Sequence, residues 1–203
     1  MPKIVFDIET AGVDFDALDP VSQKMLRERA DEGEDAASAL EEVKDQLGLS
    51  PTTGQIVALG IFDVDRERGA VYFQAPGKEI AEQEIEGIKY KQMTEQEMLT
   101  TFWNLSNQYD EFITFNGRGF DVPYMMIRSA IHGVRAQRNL MDDRYLNPRF
   151  DNKAPHIDLY DQLKFYGGFR GAHMSLHFLC KAFGITSPKD GETDGSDVGA
   201  LFK

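Results

Sequence analysis

Residues 3–10 read Lys-Ile-Val-Phe-Asp-Ile-Glu-Thr, and this stretch decides the fold. Val, Ile and Phe favour strands, and the side chains of a strand alternate between its two faces. The apolar face is predicted to consist of Ile4, Phe6 and Ile8. Asp7 and Glu9 share the other face with Val5, about 6.6 Å apart along the strand, so both carboxylates can reach one small cluster of divalent cations. An edge strand with a solvated acidic face remains the alternative at this point.

The composition is that of an ordinary globular chain. Of its 203 residues, 41% are hydrophobic and 28% are charged, which excludes the disordered and fibrous classes. The length suits one domain with a sizeable core. Cys180 is the single cysteine, so no intramolecular disulfide forms and a reducing, cytoplasmic location is expected. No run approaches the roughly 20 apolar residues that cross a bilayer, and the first residues do not resemble a secretory signal, so no membrane partner is expected.

The net charge of −12 restricts how a nucleic acid could bind. All of the acidic excess lies in residues 1–109, which hold 22 acidic and 10 basic residues. An acidic chain lacks the basic surface that gives tight, sequence-independent binding to duplexes. A polyanionic substrate would therefore have to be held locally, by metal ions and a few arginines.

Residues 14–48 are polar and acidic, with apolar residues at loosely helical intervals. This pattern predicts two helices broken near Gly33, forming an insertion on the flank of the domain. A plain structural lid and a shield that keeps duplexes from a site are both open interpretations.

The rest of the first half predicts an antiparallel meander. Residues 55–63 form a nearly continuous apolar run, residues 70–75 alternate, and residues 65–69 between them suit a hairpin turn. Thr94, followed three residues later by Glu97, has the pattern of a capping box at the start of a helix.

The second half continues with one strand and one helix. Residues 111–115 predict a strand, residues 116–119 a loop, and residues 121–131 a helix with Pro123 in its first turn. Three strands, a helix, a strand and a helix is the order of the ribonuclease H-like α/β fold, in which the first strand lies in the middle of a mixed sheet.

Two motifs carry a family resemblance. Phe6-Asp7-Ile8-Glu9-Thr10 resembles the first motif of the DEDD (DnaQ-like) superfamily of 3′–5′ exonucleases, and Phe115-Asn116-Gly117-Arg118-Gly119-Phe120-Asp121 resembles the second. Within that superfamily, the chain is most similar to the predicted exonucleases related to the proofreading domain of B-family DNA polymerases. The resemblance implies a hydrolase that cuts the 3′ ends of single-stranded DNA or RNA, and no residue distinguishes the two polymers.

The resemblance also implies a site. The catalytic residues and ligands of two Mg²⁺ or Mn²⁺ ions would be Asp7, Glu9 and Asp121. The substrate-binding residues would be Thr10, Asn116 and Phe120. From the residues alone, other interpretations stay open: Asp121 as a helix N-cap, Asn116 as a loop stabiliser, and Phe120 as a core residue. Arg118 and Arg128 suit either contacts with substrate phosphates or solvated positions on the surface.

The third motif of the superfamily is missing from its expected place. It supplies a fourth carboxylate, preceded by a tyrosine four residues earlier or a histidine five residues earlier. Residues 156–159 resemble the segment before it, 175–185 the following helix, and 190–198 the following loop, whereas His173 has no aspartate five residues on. Three explanations remain: truncation before the last helix, substitution by Asp158 or Asp197, or a binding or structural module without turnover. Truncation with impaired activity is the expectation, and protein partners are unknown.

Overall fold

The computed structural model describes residues 1–30, 36–142, 144–145, 156–169, 171 and 174–190. The strands are β1 (Lys3–Gly12), β2 (Gly54–Asp63), β3 (Arg68–Phe73), β4 (Gln83–Ile85), β5 (Ile88–Gln92), β6 (Glu111–Thr114) and β7 (His156–Asp158). The α-helices are α1 (Pro20–Ala30), α2 (Ala36–Asp45), α3 (Glu95–Ser106), α4 (Asp121–Ile131), α5 (Leu159–Leu163) and α6 (Leu176–Phe183).

The described strands form one mixed sheet in the order β4-β5-β3-β2-β1-β6-β7. β1 runs antiparallel to β2 and parallel to β6, and β2 runs antiparallel to β3. The predicted α/β architecture, the N-terminal meander and the central place of β1 are therefore confirmed. No helix in the described ranges is long and apolar enough to cross a membrane.

The alternation in β1 positions both the core and the acidic pair. Ile4, Phe6 and Ile8 are exposed by 1%, 2% and 4% and belong to the main hydrophobic core. Helix α3 covers this face and begins with the predicted capping box of Thr94 and Glu97. Burying the apolar face leaves the side chains of Asp7 and Glu9 on the opposite side of the strand.

Two strands were missing from the sequence-based prediction. β4 and β5 form a hairpin that extends the sheet at one edge, with β5 parallel to β3. Glu86 and Gly87 between them have φ of 50° and 80°, which suits a two-residue hairpin turn. The Glu86-Gly87 turn was the sequence feature that could have predicted this hairpin. The strands themselves could not, because their residues are partly or fully exposed and lack a clear apolar alternation.

The predicted insertion contains the two expected helices, α1 and α2. Gly33, where the break was predicted, lies outside the described residues. A 3₁₀ helix at Gln46–Leu49 follows α2 and packs against the end of β1. The approach is so close that a Cβ atom on Gly12 would lie 2.7 Å from Leu47 Cβ, which explains the glycine at this position.

Candidate active site

The middle of β1 carries the first two candidate ligands. Asp7 is exposed and Glu9 is half-buried on the same side of the strand. The β1–β2 register shifts between Glu9 and Thr10, and such irregularities change the direction of side chains. On its other side, β1 pairs with β6 only as far as Val5 and Ile113. The pairing of the two strands therefore ends before Asp7.

The 116–119 loop enters this region from β6. Asn116 has a φ of 66°, a left-handed conformation that Asn tolerates better than most residues. A Cβ atom on Gly117 would lie 2.6 Å from Thr114 Cβ, and one on Gly119 would lie 2.7 Å from Asn116 Oδ1. Local packing therefore explains the two glycines of the second motif.

The loop delivers Asp121 to β1. Asp121 is the first residue of α4 and is 3% exposed, and its Oδ1 atom accepts a hydrogen bond of 3.0 Å from the backbone N–H of Ile8. The N-cap position of α4 belongs to Phe120. The alternative in which Asp121 is simply an N-cap is therefore wrong.

The Asp7 and Asp121 carboxyl groups are hydrogen-bonded to each other. Burial and the charge of Asp7 raise the pKa of Asp121 to about 7. Desolvation by the surrounding protein atoms also raises the pKa of Asp7, and the hydrogen bond from Asp121 opposes that rise. The pair therefore takes up a proton more readily than two isolated carboxylates would.

The donor set of this pair suits a hard divalent cation. Both groups offer carboxylate oxygens, the ligands that Mg²⁺ and Mn²⁺ prefer. Among the described residues, neither carboxylate forms an ion pair with Lys, Arg or His. No basic side chain in this part of the chain thus offsets the repulsion between the two ionised groups, and a bound cation would.

The structure brings together two of the three predicted ligands. Glu9 lies on the same side of β1 as Asp7, but within the described ranges no three His, Cys, Asp or Glu side chains form a group that could hold a metal ion. The two predicted ligands that come together are therefore Asp7 and Asp121, and Glu9 lies two residues further along β1 than Asp7.

Two of the predicted substrate-binding residues, Thr10 and Phe120, contact the same tyrosine. The Thr10 side chain is hydrogen-bonded to the Tyr124 hydroxyl, which also donates to the carbonyl oxygen of Gly48 at 3.0 Å. Phe120 is half-buried and packs on the Tyr124 ring at 5.3 Å between centroids. Tyr124, which sequence reasoning missed, thus links the end of the insertion to the site. Its position three residues after Asp121 in an apolar helix was the only signal.

The two arginines do not occupy solvated positions on the surface, and their contact with substrate phosphates stays a prediction. The buried Arg118 guanidinium donates to the carbonyl oxygens of Met141 and Asp142 at 2.8 and 2.6 Å. Arg128 forms two hydrogen bonds, of 2.8 and 2.6 Å, with the buried Glu95 carboxylate. Neither guanidinium is solvated as a surface arginine would be, and each is already engaged by the protein.

The Asp158 carboxylate, one of the candidates for the fourth ligand, is engaged by backbone donors. Its two oxygens accept hydrogen bonds from the backbone N–H groups of Asn116, Arg118, Tyr160 and Asp161. His173 and Asp197, the other candidates considered for the third motif, lie outside the described residues. The fourth carboxylate of the superfamily is thus unassigned within the described part of the chain.

Comparisons with known proteins bear on the family and the fold of the chain. The family model described as a predicted 3′–5′ exonuclease related to the exonuclease domain of PolB matches residues 70–203, a range that includes the second motif and Asp158 but not β1. The structure of the family B DNA polymerase from the hyperthermophilic archaeon Pyrobaculum calidifontis is similar over 99% of this chain, with 16% identity and a TM-score of 0.55. This likeness confirms the predicted ribonuclease H-like fold. The chain covers 21% of that polymerase, and no curated protein matches it.

Proposed function

The chain belongs to the family of predicted 3′–5′ exonucleases related to the exonuclease domain of PolB, and from this premise we propose that it removes nucleotides from the 3′ ends of single-stranded DNA or RNA with divalent metal ions. The observation that carries the proposal is the contact between Asp121 and Asp7. Two carboxylates that come from distant parts of the chain are held together on a central strand, just beyond the point where its parallel pairing with β6 ends. This is where open α/β sheets bind their ligands.

Each acidic residue would have its own role at this site. Asp7 and Asp121 would hold the metal, and Glu9 would complete the ligand set from the same strand. Two Mg²⁺ or Mn²⁺ ions would supply Lewis-acid stabilisation of the phosphoryl oxygens and a lower pKa for the attacking water. The hydrogen bond from the Ile8 N–H keeps Asp121 in place before any ligand arrives, which reduces the reorganisation that binding requires.

The terminal nucleotide would lie against the half-buried residues beside this pair. The Phe120 ring is large enough to stack on a base or sugar. Thr10 lies near the end of β1, and Asn116 lies just after the end of β6. Because the acidic excess is confined to residues 1–109, the substrate would be gripped at its terminus, and long duplexes would be repelled.

A single-strand degradation assay tests the proposal. DNA and RNA oligonucleotides labelled at either end are incubated with Mg²⁺ or Mn²⁺, and the products are resolved by length. We expect mononucleotides from the 3′ label and a descending ladder from the 5′ label, with no cleavage in EDTA. Asp7→Asn and Asp121→Asn should each lower the rate about 10²-fold or more. Asp110→Asn is the matched control, because Asp110 is exposed and lies just before the first residue of β6.

A nucleic-acid-binding or structural module without turnover is the second candidate. It is favoured by the finding that only two candidate ligands converge in the described ranges. Oligonucleotide binding without mononucleotide release, or wild-type activity in Asp7→Asn, would contradict the enzyme proposal. Release that depends on Asp7 and on metal would contradict the module.

A further inference from the structure

Asp158 binds the backbone of the second motif from the neighbouring strand. It is the last residue of β7 and is 3% exposed. Its Oδ1 accepts the N–H of Asn116 at 2.8 Å, and its Oδ2 accepts the N–H of Arg118 at 2.9 Å. Oδ1 also accepts the N–H groups of Tyr160 and Asp161 at the start of α5. One carboxylate thus joins two chain segments that are 40 residues apart.

The two hydrogen bonds from Asn116 and Arg118 to Asp158 form a clamp on the 116–119 loop, and this loop is continuous with the first turn of α4. The carbonyl oxygen of Asn116 accepts hydrogen bonds from the N–H groups of Gly119 and Phe120, at 2.9 and 3.1 Å, and that of Gly117 accepts one from Val122 at 2.9 Å. The Gly117 carbonyl belongs to the peptide unit whose N–H binds Asp158, and the Asn116 carbonyl belongs to the unit just before it, so the backbone on either side of Asp121 is tied to the segment that Asp158 holds. A shift of the loop would move the Asp121 carboxylate away from Ile8 and Asp7.

Other hydrogen bonds hold the same loop. The Arg118 side chain is anchored to the carbonyl oxygens of Met141 and Asp142. Thr114 Oγ1 lies 2.7 Å from His156 Nε2 and accepts the N–H of Gly117 at 3.2 Å. The loop is thus fixed by polar groups of β6, of β7 and of residues 141–142, and buried polar groups are costly to leave unpaired.

We infer that Asp158 is the positioning residue of this site, whose carboxylate holds the Asn116–Gly119 loop so that Asp121 meets Asp7. The inference rests on the proposed function for its effect on metal binding, but the positioning itself is measurable without metal. Groups that orient metal ligands typically contribute about 10- to 100-fold to metal affinity or activity.

The test compares Asp158→Asn with Asp158→Ala and with the control Asp161→Asn. Asparagine keeps an acceptor for Asn116 but places an amide opposite the Arg118 N–H, so it weakens the clamp without removing it. Asp161, three residues further on, pairs with Arg144 at 2.6 Å, so its substitution removes the same charge without contacting the loop. Amide hydrogen exchange of Ile8 in metal-free protein reports the Ile8–Asp121 bond, and calorimetric titration reports Mn²⁺ affinity.

In Asp158→Asn, the Ile8 amide should exchange about tenfold faster, while Leu59 and Tyr72 in β2 and β3 keep their protection. The Kd for Mn²⁺ should rise about tenfold or more, and both effects should be larger in Asp158→Ala and absent in Asp161→Asn. Unchanged Ile8 exchange in Asp158→Asn would overturn the inference, and so would faster exchange with unchanged Mn²⁺ affinity. If the wild-type protein binds no Mn²⁺, the proposed function fails, and Ile8 exchange still decides the positioning role.

Discussion

The backbone N–H of Ile8 donates a hydrogen bond of 3.0 Å to Oδ1 of Asp121, 113 positions further along the chain. Ile8 lies between Asp7 and Glu9, beyond the point where β1 stops pairing with β6. The Asp121 carboxylate thus accepts the N–H that would otherwise form the next hydrogen bond of the β1–β6 ladder. This contact satisfies a backbone donor and brings a second carboxylate to the strand. The pair is formed in advance, at an electrostatic cost that a cation would relieve.

Asp121→Asn should stabilise the metal-free protein at pH 8. In the folded state, the pKa of Asp121 rises from its ordinary value of 3.8 to about 7, so the folded state binds more protons than the unfolded state between these values. The free energy of unfolding therefore falls as pH rises from about 4 to about 7. Asparagine keeps the acceptor for Ile8 and removes the charge, for a gain on the order of 2 kcal/mol.

Urea denaturation in EDTA measures this gain. The difference between Asp121→Asn and wild type should shrink as the pH is lowered towards 4, and Asp110→Asn should leave the wild-type value unchanged. A variant that is less stable than wild type at pH 8 would contradict the electrostatic account of the pair.

Mn²⁺ affinity should depend on pH through the same group. Because burial and Asp7 raise the pKa of Asp121 to about 7, a proton must leave before the cation binds. Well below pH 7, the affinity should fall about tenfold per pH unit. Calorimetric titrations between about pH 5.5 and 8.5 measure the slope, and a flat profile would show that Asp121 is not a ligand. Asp121→Asn should bind Mn²⁺ weakly at every pH.

Acid should destabilise the fold through His156. Its Nδ1 donates to the carbonyl oxygen of Leu140 at 3.0 Å, and its Nε2 lies 2.7 Å from the Thr114 hydroxyl, an arrangement that suits the neutral ring. Burial lowers the pKa of His156 from 6.5 to about 4. The unfolded state therefore binds the proton first, and the stabilising contribution present above pH 6.5 is lost as pH falls towards 4.

The two pH effects oppose each other, so the His156 effect is best measured in the Asp121→Asn background. Between pH 6.5 and 4, Asp121→Asn alone should lose up to about 3 kcal/mol more than the double variant with His156→Gln. Equal slopes in the two proteins would show that His156 is not a neutral buried ring in the folded state.

Local chemistry was sufficient to predict the elements that carry the site. The alternation in residues 3–10 predicted both faces of β1, and Thr94 with Glu97 predicted the start of α3, because each pattern depends only on neighbouring residues. β4 and β5 were not predicted, because their own residues carry no such local pattern. Their side chains are partly or fully exposed, and backbone pairing at the sheet edge leaves no apolar periodicity.

The candidate site was predictable only in part. Asp7, Glu9 and Asp121 were identified through the resemblance of two motifs, and the contact of Asp121 with β1 depends on where β6 ends. The roles of Asp158 and Arg118 depend on β7 lying beside β6, a parallel pairing that no local spacing encodes. Buried polar side chains that hold backbone groups look in sequence like caps or surface residues, because their partners are distant along the chain.

The glycines of the second motif should differ in how much they tolerate a methyl group. A Cβ atom on Gly117 would collide with the Thr114 side chain at its Cβ, an atom fixed to the backbone of β6. The equivalent atom on Gly119 would meet Asn116 Oδ1 at 2.7 Å, the mobile end of a side chain. Gly117→Ala should therefore cost about 2 kcal/mol of unfolding free energy, whereas Gly119→Ala should cost much less, as measured by urea denaturation. Because β6 cannot yield, Gly117→Ala should also displace the loop and weaken Mn²⁺ binding. Equal costs for the two substitutions would mean that the loop itself gives way, and Asp121 would then be held chiefly by Ile8.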